Sequence, residues 1–234
     1  MCYAGNSISI NEARYREVTS VDSERNGHCG PKRLDYFDMA KGIAILCVIV
    51  GHLGVRDIDR VVVVFHMPLF FFVSGYFLSR KKYDYLSFVK KKVRSLLKPY
   101  YFTGMIICLF SIPLAFYTGR PVLDTLWGWI GGTLYGAGVI GIHHLFHWMP
   151  IFIGALWFLW AIFWGVLVVR RVIDVVPEQY QFIAILLITW VGYQTAQTIW
   201  LPLDIQAGFF ATLFIYLGYW SKERQLFERK RPII

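Results

Sequence analysis

Residues 35–54, DYFDMAKGIAILCVIVGHLG, decide the reading of this chain, because Lys41 and His52 sit inside a run otherwise apolar enough to be a membrane helix. Ionisable side chains are expensive in lipid and by default mark functional positions. Eleven positions separate the two. At about 100° and about 1.5 Å per residue they lie within about 20° of one helix face and about 16 Å apart along it. Asp38, three residues before Lys41, falls on that face as well. One helix thus presents a carboxylate and an ammonium near one membrane surface and an imidazole towards the other. Such a column suits catalysis or the passage of a ligand.

Composition agrees with a membrane setting. The 234 residues are 56% hydrophobic and 18% aromatic, with a mean hydropathy of +0.49, whereas soluble domains have about 45–50% apolar residues even when Gly is counted. The formal charge of +9 does not point to nucleic acid, because Lys and Arg cluster beside apolar runs rather than along a polar face. Of the four cysteines, Cys47 and Cys108 fall inside apolar runs and Cys2 and Cys29 in the polar start, without metal-type spacing or a disulfide framework.

Apolar runs occur at 37–55, 61–78, 100–117, 149–169, 182–200 and 205–220, several of them near the roughly 20 residues that span a bilayer. The expected fold is an all-α polytopic transmembrane bundle of about six membrane helices. Residues 1–36 read as a polar cytoplasmic arm, 37–220 as the membrane domain and 221–234 as a basic cytoplasmic tail. The Gly-rich stretch 122–142 reads as re-entrant, interfacial or extracytoplasmic.

Loop charge orients the chain. Arg80, Lys81, Lys82, Lys90, Lys91, Lys92, Arg94 and Lys98 oppose Asp84 alone, Arg170 and Arg171 follow the fourth run, and a further basic cluster follows the last. All three face the cytoplasm, as the positive-inside rule requires, only if 122–142 makes no net crossing. The N-terminus is then cytoplasmic, RDIDR at 56–60 is a short outer loop, and His66 lies at a depth comparable to His52 on the next helix.

Blander readings stand beside the chemical ones. A Lys near a helix end snorkels, Lys41 also suits Asp38 as an ion-pair partner, and His66 before Pro68 suits a helix-to-helix hydrogen bond. Ser74 with Gly75 makes a close-packing notch, and Thr189, Tyr193, Gln194 and Gln197 form a polar side for interhelical bonding. His143, His144 and His147 have helical spacing but no Cys or carboxylate nearby, so no metal is expected. Trp157 and Trp160 are positioned for an aromatic belt, or for stacking on a substrate.

The motif D-x-A-K-G-I-A-I-x-x-V-x-x-G-H, then FHMPLFFFVSGYFL at 65–78, KKVRSLLKPYY at 91–101 and ALWFLWAIFW at 155–164, resembles the acyltransferase family 3 of integral membrane O-acyltransferases. The branch it is most similar to holds fucose 4-O-acetylase-like and polysaccharide O-acetyltransferases. The resemblance implies transfer of acetyl, or another short acyl group, from acetyl-CoA to a hydroxyl of a cell-envelope or capsular polysaccharide or its precursor. It places the family's basic-to-histidine signature on Lys41 and His52, and its second basic motif on Lys91 and Arg94. Lys41 stands where many members carry Arg, keeping the charge but not the planar fork.

Chemistry fits these residue types. A sugar hydroxyl needs a base to attack a thioester, and a neutral imidazole, here His52, takes that proton near neutral pH. Lys41, Lys91 and Arg94 suit the phosphates of coenzyme A. His66, Ser74, Trp157 and Trp160 are candidates to line the acceptor site, with Asp38 beside Lys41. Acyl-CoA is thus expected as donor substrate, with no bound cofactor, in a bacterial inner membrane; the sequence indicates no oligomeric state. The family usually has about ten membrane helices against about six runs here, which reads as a compact variant, a truncated copy or a membrane domain incomplete at its C-terminus; in the latter two cases part of the acceptor site, or the wall that excludes water, would be lost. Two other readings are a proton or anion pathway along Asp38, Lys41 and His52, and a non-catalytic remnant.

Overall fold

The computed structural model describes residues 35–51, 56–79, 84–136, 138 and 153–227. The chain divides into two compact units, Met1–Ala40 and Lys41–Ile234. Of the first unit, the described part is the start of helix α1. The helices are α1 (Asp35–Gly51), α2 (Arg56–Tyr76), α3 (Tyr85–Lys92), α4 (Lys98–Thr118), α5 (Val122–Tyr135), α6 (Trp157–Val175), α7 (Glu178–Thr198) and α8 (Ile205–Glu223). Short 3-10 turns precede α6 (Gly154–Leu156) and α8 (Pro202–Asp204).

Local sequence sets the boundaries. Asp84 caps α3, its carboxylate accepting from the Leu86 N–H at 3.3 Å. Gly119 and Gly136 end α4 and α5 in the left-handed conformation, at φ 66° and 72°, which costs glycine nothing. A π-helical turn, Val93–Leu97, joins α3 to α4 and makes one helix of Tyr85–Thr118. Its cause is Pro99, which has no N–H for the Ser95 carbonyl and whose ring presses on it. Widening the turn relieves that contact, and the Lys98 N–H bonds five residues back to Val93.

Helix α8 is the hub, packed along α2, α6 and α7. Glycine allows the close approaches. A Cβ at Gly75 of α2 would overlap the carbonyl of Ile215, and one at Gly218 of α8 would overlap that of Phe72. Gly165 faces Gly208 across the α6–α8 contact, and Gly192 of α7 lies against the Gln206 carbonyl. Small residues at helix crossings are the usual device of membrane bundles, where lipid supplies no hydrophobic drive between helices. The Ser74–Gly75 notch read from the sequence is therefore where α2 docks.

Helices α2, α6 and α8 run parallel, and their C-termini meet. Arg170 Nη1 donates to the Ser79 carbonyl at 2.7 Å, and Lys222 Nζ to the Leu78 carbonyl at 3.3 Å. The start of α3 joins them, with Phe88 5.5 Å from the Arg170 guanidinium and Tyr85 5.5 Å from that of Arg171. Described members of all three basic clusters, Lys92, Arg170 with Arg171, and Lys222, thus reach one end of the bundle, in keeping with the positive-inside reading.

Two expectations change. RDIDR is not a loop but the first turn and more of α2; it holds no Gly or Pro, and charge marks a lipid boundary rather than a helix boundary. The basic residues from Lys90 to Lys98 likewise lie on helix and π-turn. Of the Gly-rich stretch, residues 122–135 form helix α5, antiparallel to α4. Gly128, Gly131 and Gly132 weaken its helix propensity, but packing overrides propensity. Thr133 fills the space beside Gly104, and Tyr100 Oη donates to the Thr133 carbonyl at 2.7 Å.

Among the described residues, Tyr85–Thr118 and Gly154–Val175 are the two helices long and apolar enough to cross a membrane. The six-span count is thus not reached on length and composition. Helix α7 nonetheless exposes Phe182, Ile183, Leu186, Leu187, Trp190 and Val191, and α4 exposes Phe110, Leu114 and Phe116. Apolar faces this continuous fit lipid rather than water.

Candidate functional site

The sequence-derived site is described only in part. His52, like His143, His144 and His147, lies outside the described residues. Asp38 and Lys41 are placed as backbone on α1. His66 is buried within α2, and Ser74 is half-buried one residue before the Gly75 crossing. Lys91 is exposed on α3, and Arg94 is exposed in the π-turn. Single-turn π insertions recur at functional positions because they re-aim side chains relative to the turns on either side.

The basic end carries a geometry that residue counting does not reveal. Arg170 is 4% exposed, and its Nε donates to Asp174 at 2.7 Å while Nη1 reaches Ser79. One guanidinium thereby ties α2 to α6 and lies over Phe88 of α3. The sequence marked Arg170 only as a topological charge. Lys92 Nζ lies 5.6 Å from the centroid of the same Phe88 ring. From Phe88, Arg94 is six residues further along the helix, about 9 Å along its axis.

A second polar centre, absent from the sequence reading, occupies the far end. Asp204 is fully buried, accepts from Trp200 Nε1 at 2.7 Å and from the Gly138 N–H, and leaves Oδ2 without a partner among the described residues. It sits in the turn between α7 and α8 with Leu203 at φ 60° and Asp204 at φ 48°. The left-handed conformation costs a residue such as Leu about 1–3 kcal/mol. Trp164 Nε1 holds the strained Leu203 by its carbonyl at 3.0 Å, and Tyr135 Oη donates to the Trp200 carbonyl. Trp160 is core, with Tyr100, Phe163 and Trp164 around it at 5.6–6.2 Å, whereas Trp157 lines a cavity. The only sequence signal for this centre was a carboxylate wedged between two apolar runs.

Burial pushes the Asp204 carboxyl up from 3.8 to about 8, with the Trp200 and Gly138 bonds opposing it. The sign follows from linkage: the folded protein holds this proton more tightly than the unfolded chain. Its stabilising contribution is complete below the unfolded value and is lost as pH rises through about 8. Thermal unfolding in detergent should therefore shift to lower temperature between pH 5 and pH 9, by an amount that Asp204→Asn removes. Asn tolerates the left-handed backbone and replaces the carboxylic O–H with an N–H. Equal pH slopes for the two proteins would count against a protonated Asp204.

Among the described residues, no cluster of three or more His, Cys, Asp or Glu groups is arranged to hold a metal ion. A family model described as an acyltransferase domain matches residues 34–233. Neither a curated protein nor a solved structure matches the chain.

Proposed function

This chain belongs to acyltransferase family 3, and from that premise we propose that it is an O-acetyltransferase of the bacterial cytoplasmic membrane. Acetyl, or another short acyl group, passes from acyl-CoA to a hydroxyl of a cell-envelope or capsular polysaccharide or its lipid-linked precursor. The N-terminal arm, the basic end and the tail face the cytoplasm, where acyl-CoA is available. His52 takes the hydroxyl proton as the sugar oxygen attacks the thioester carbonyl; the C–S bond breaks, and coenzyme A leaves as a thiolate that is then protonated. Asp38 orients or neutralises Lys41, and His66 and Ser74 stand towards the acceptor.

The observation that supports donor entry is the gathering of Arg170, Arg171, Lys222 and the start of α3 at one end, with Lys91 and Arg94 exposed on the helix that begins there. Exposed guanidinium and ammonium groups beside that end suit the phosphates of coenzyme A. The direct test is label transfer from acetyl-CoA to polysaccharide by the purified full chain. Absence of transfer together with proton flux in acceptor-free liposomes would replace the enzyme with a transport reading.

Donor binding has its own test. Lys41→Gln and Arg94→Gln should each weaken acetyl-CoA binding by about ten-fold or more, the scale of one charge-assisted hydrogen bond. Binding to the wild-type protein should also decline with salt, since charges near water are screened over about 8–10 Å. Lys41→Arg should bind normally. Unchanged affinity in both Gln variants would remove the phosphate role. A lower folded yield for Lys41→Gln, with affinity intact, would make Lys41 the ion-pair partner of Asp38 instead.

A further inference from the structure

Between the last turns of α7 and the first turns of α8 lies a cavity of about 260 Å³ lined by Trp157, Tyr193, Ala196, Trp200, Gln206 and Phe210. No described lining residue carries a charge. Gln206 is 1% exposed, and its Oε1 accepts from the Leu201 N–H at 3.2 Å, which fixes the orientation of the amide. Its Nε2 then has no partner among the described residues. A buried N–H left unmet costs about 1–3 kcal/mol, so a ligand that brings an acceptor oxygen and is otherwise apolar matches this lining in both respects.

Position narrows the ligand. The cavity lies at the end of the bundle away from Arg170 and Lys222, and of its lining Tyr193 and Phe210 are themselves exposed, as are Leu186, Leu187 and Trp190 of α7. Trp and Tyr mark the depth at which bilayer hydrocarbon gives way to headgroups. Lipid ester carbonyls lie at that same depth. A sugar would leave most of its hydroxyls unmet among these side chains.

We propose that this cleft binds one acyl chain of a membrane glycerolipid, with the ester carbonyl accepting from Gln206 Nε2. The site requires that the protein lie in a bilayer but not that it transfer acyl groups. Failure here would leave the acyltransferase reading standing, and the reverse also holds.

The probe is a diacyl phosphatidylcholine with a diazirine in one chain, present at low fraction in phosphatidylcholine vesicles that hold the full chain. Illumination should mark the peptides spanning 193–200 and 206–210. An ether-linked analogue lacks the carbonyl and should label them roughly five-fold less, the factor that one net hydrogen bond sets; this arm needs no variant. Gln206→Leu should erase the ester-over-ether preference, and Ala196→Trp, which fills the cleft, should suppress labelling at unchanged folded yield. Equal labelling by ester and ether lipids in the wild-type protein would overturn the proposal, as would undiminished labelling of Ala196→Trp. A long-chain acyl-CoA that competes better than the lipid would overturn it too, by giving the cleft to the donor.

Discussion

His52→Ala is expected to lower acyl transfer by about 10²–10⁴-fold, the range seen when a positioned general base is removed, in a protein that still inserts. A sugar hydroxyl has almost no nucleophile character at neutral pH, and no other histidine falls in the apolar run of sequence, 37–55, that carries Asp38 and Lys41. Rates of label transfer from acetyl-CoA, compared at matched folded protein, measure the effect. His66→Ala should cost less, since His66 is buried within α2. Wild-type turnover by folded His52→Ala protein would end its role as base.

Gly75→Ala is expected to abolish the folded protein. A single methyl at this position would overlap the Ile215 carbonyl, which is backbone and has no rotamer to retreat to. Overpacking typically costs about 1–3 kcal/mol where side chains yield, and more where a helix axis has to move. Monodisperse yield after detergent extraction is the readout, with Gly42→Ala as a control because nothing lies within 4 Å of the added carbon. Normal yield of Gly75→Ala would mean that α2 and α8 are not in backbone contact.

Features governed by local chemistry were legible in the sequence. Clustered Lys and Arg announced which segment ends share a side, and the contacts of Arg170 with Ser79 and of Lys222 with Leu78 bring them together. Ser74 and Gly75 announced a crossing. Features that depend on distant partners were not legible. Asp204 drew no reading from the sequence, because one of the groups that hold it, the Gly138 N–H, lies 66 positions earlier. The Gly-rich stretch 122–142 left its secondary structure open, because its glycines are favourable in a helix only with α4 alongside. RDIDR was misread because charge was taken as the end of secondary structure when it signals only the end of hydrocarbon.

The unbroken run Tyr85–Thr118 has a mechanical consequence. Its 34 residues extend about 51 Å at about 1.5 Å each, against a hydrocarbon slab about 30 Å thick. Helix α6, at 19 residues, matches the slab at about 28 Å. The longer rod satisfies such mismatch by leaning or by carrying its far half, with α5 strapped to it, beyond the slab. A thinner bilayer should accordingly increase the lean of the α4–α5 arm, and the π-turn at Val93–Leu97 is where the rod's hydrogen-bond ladder departs from α-helical spacing.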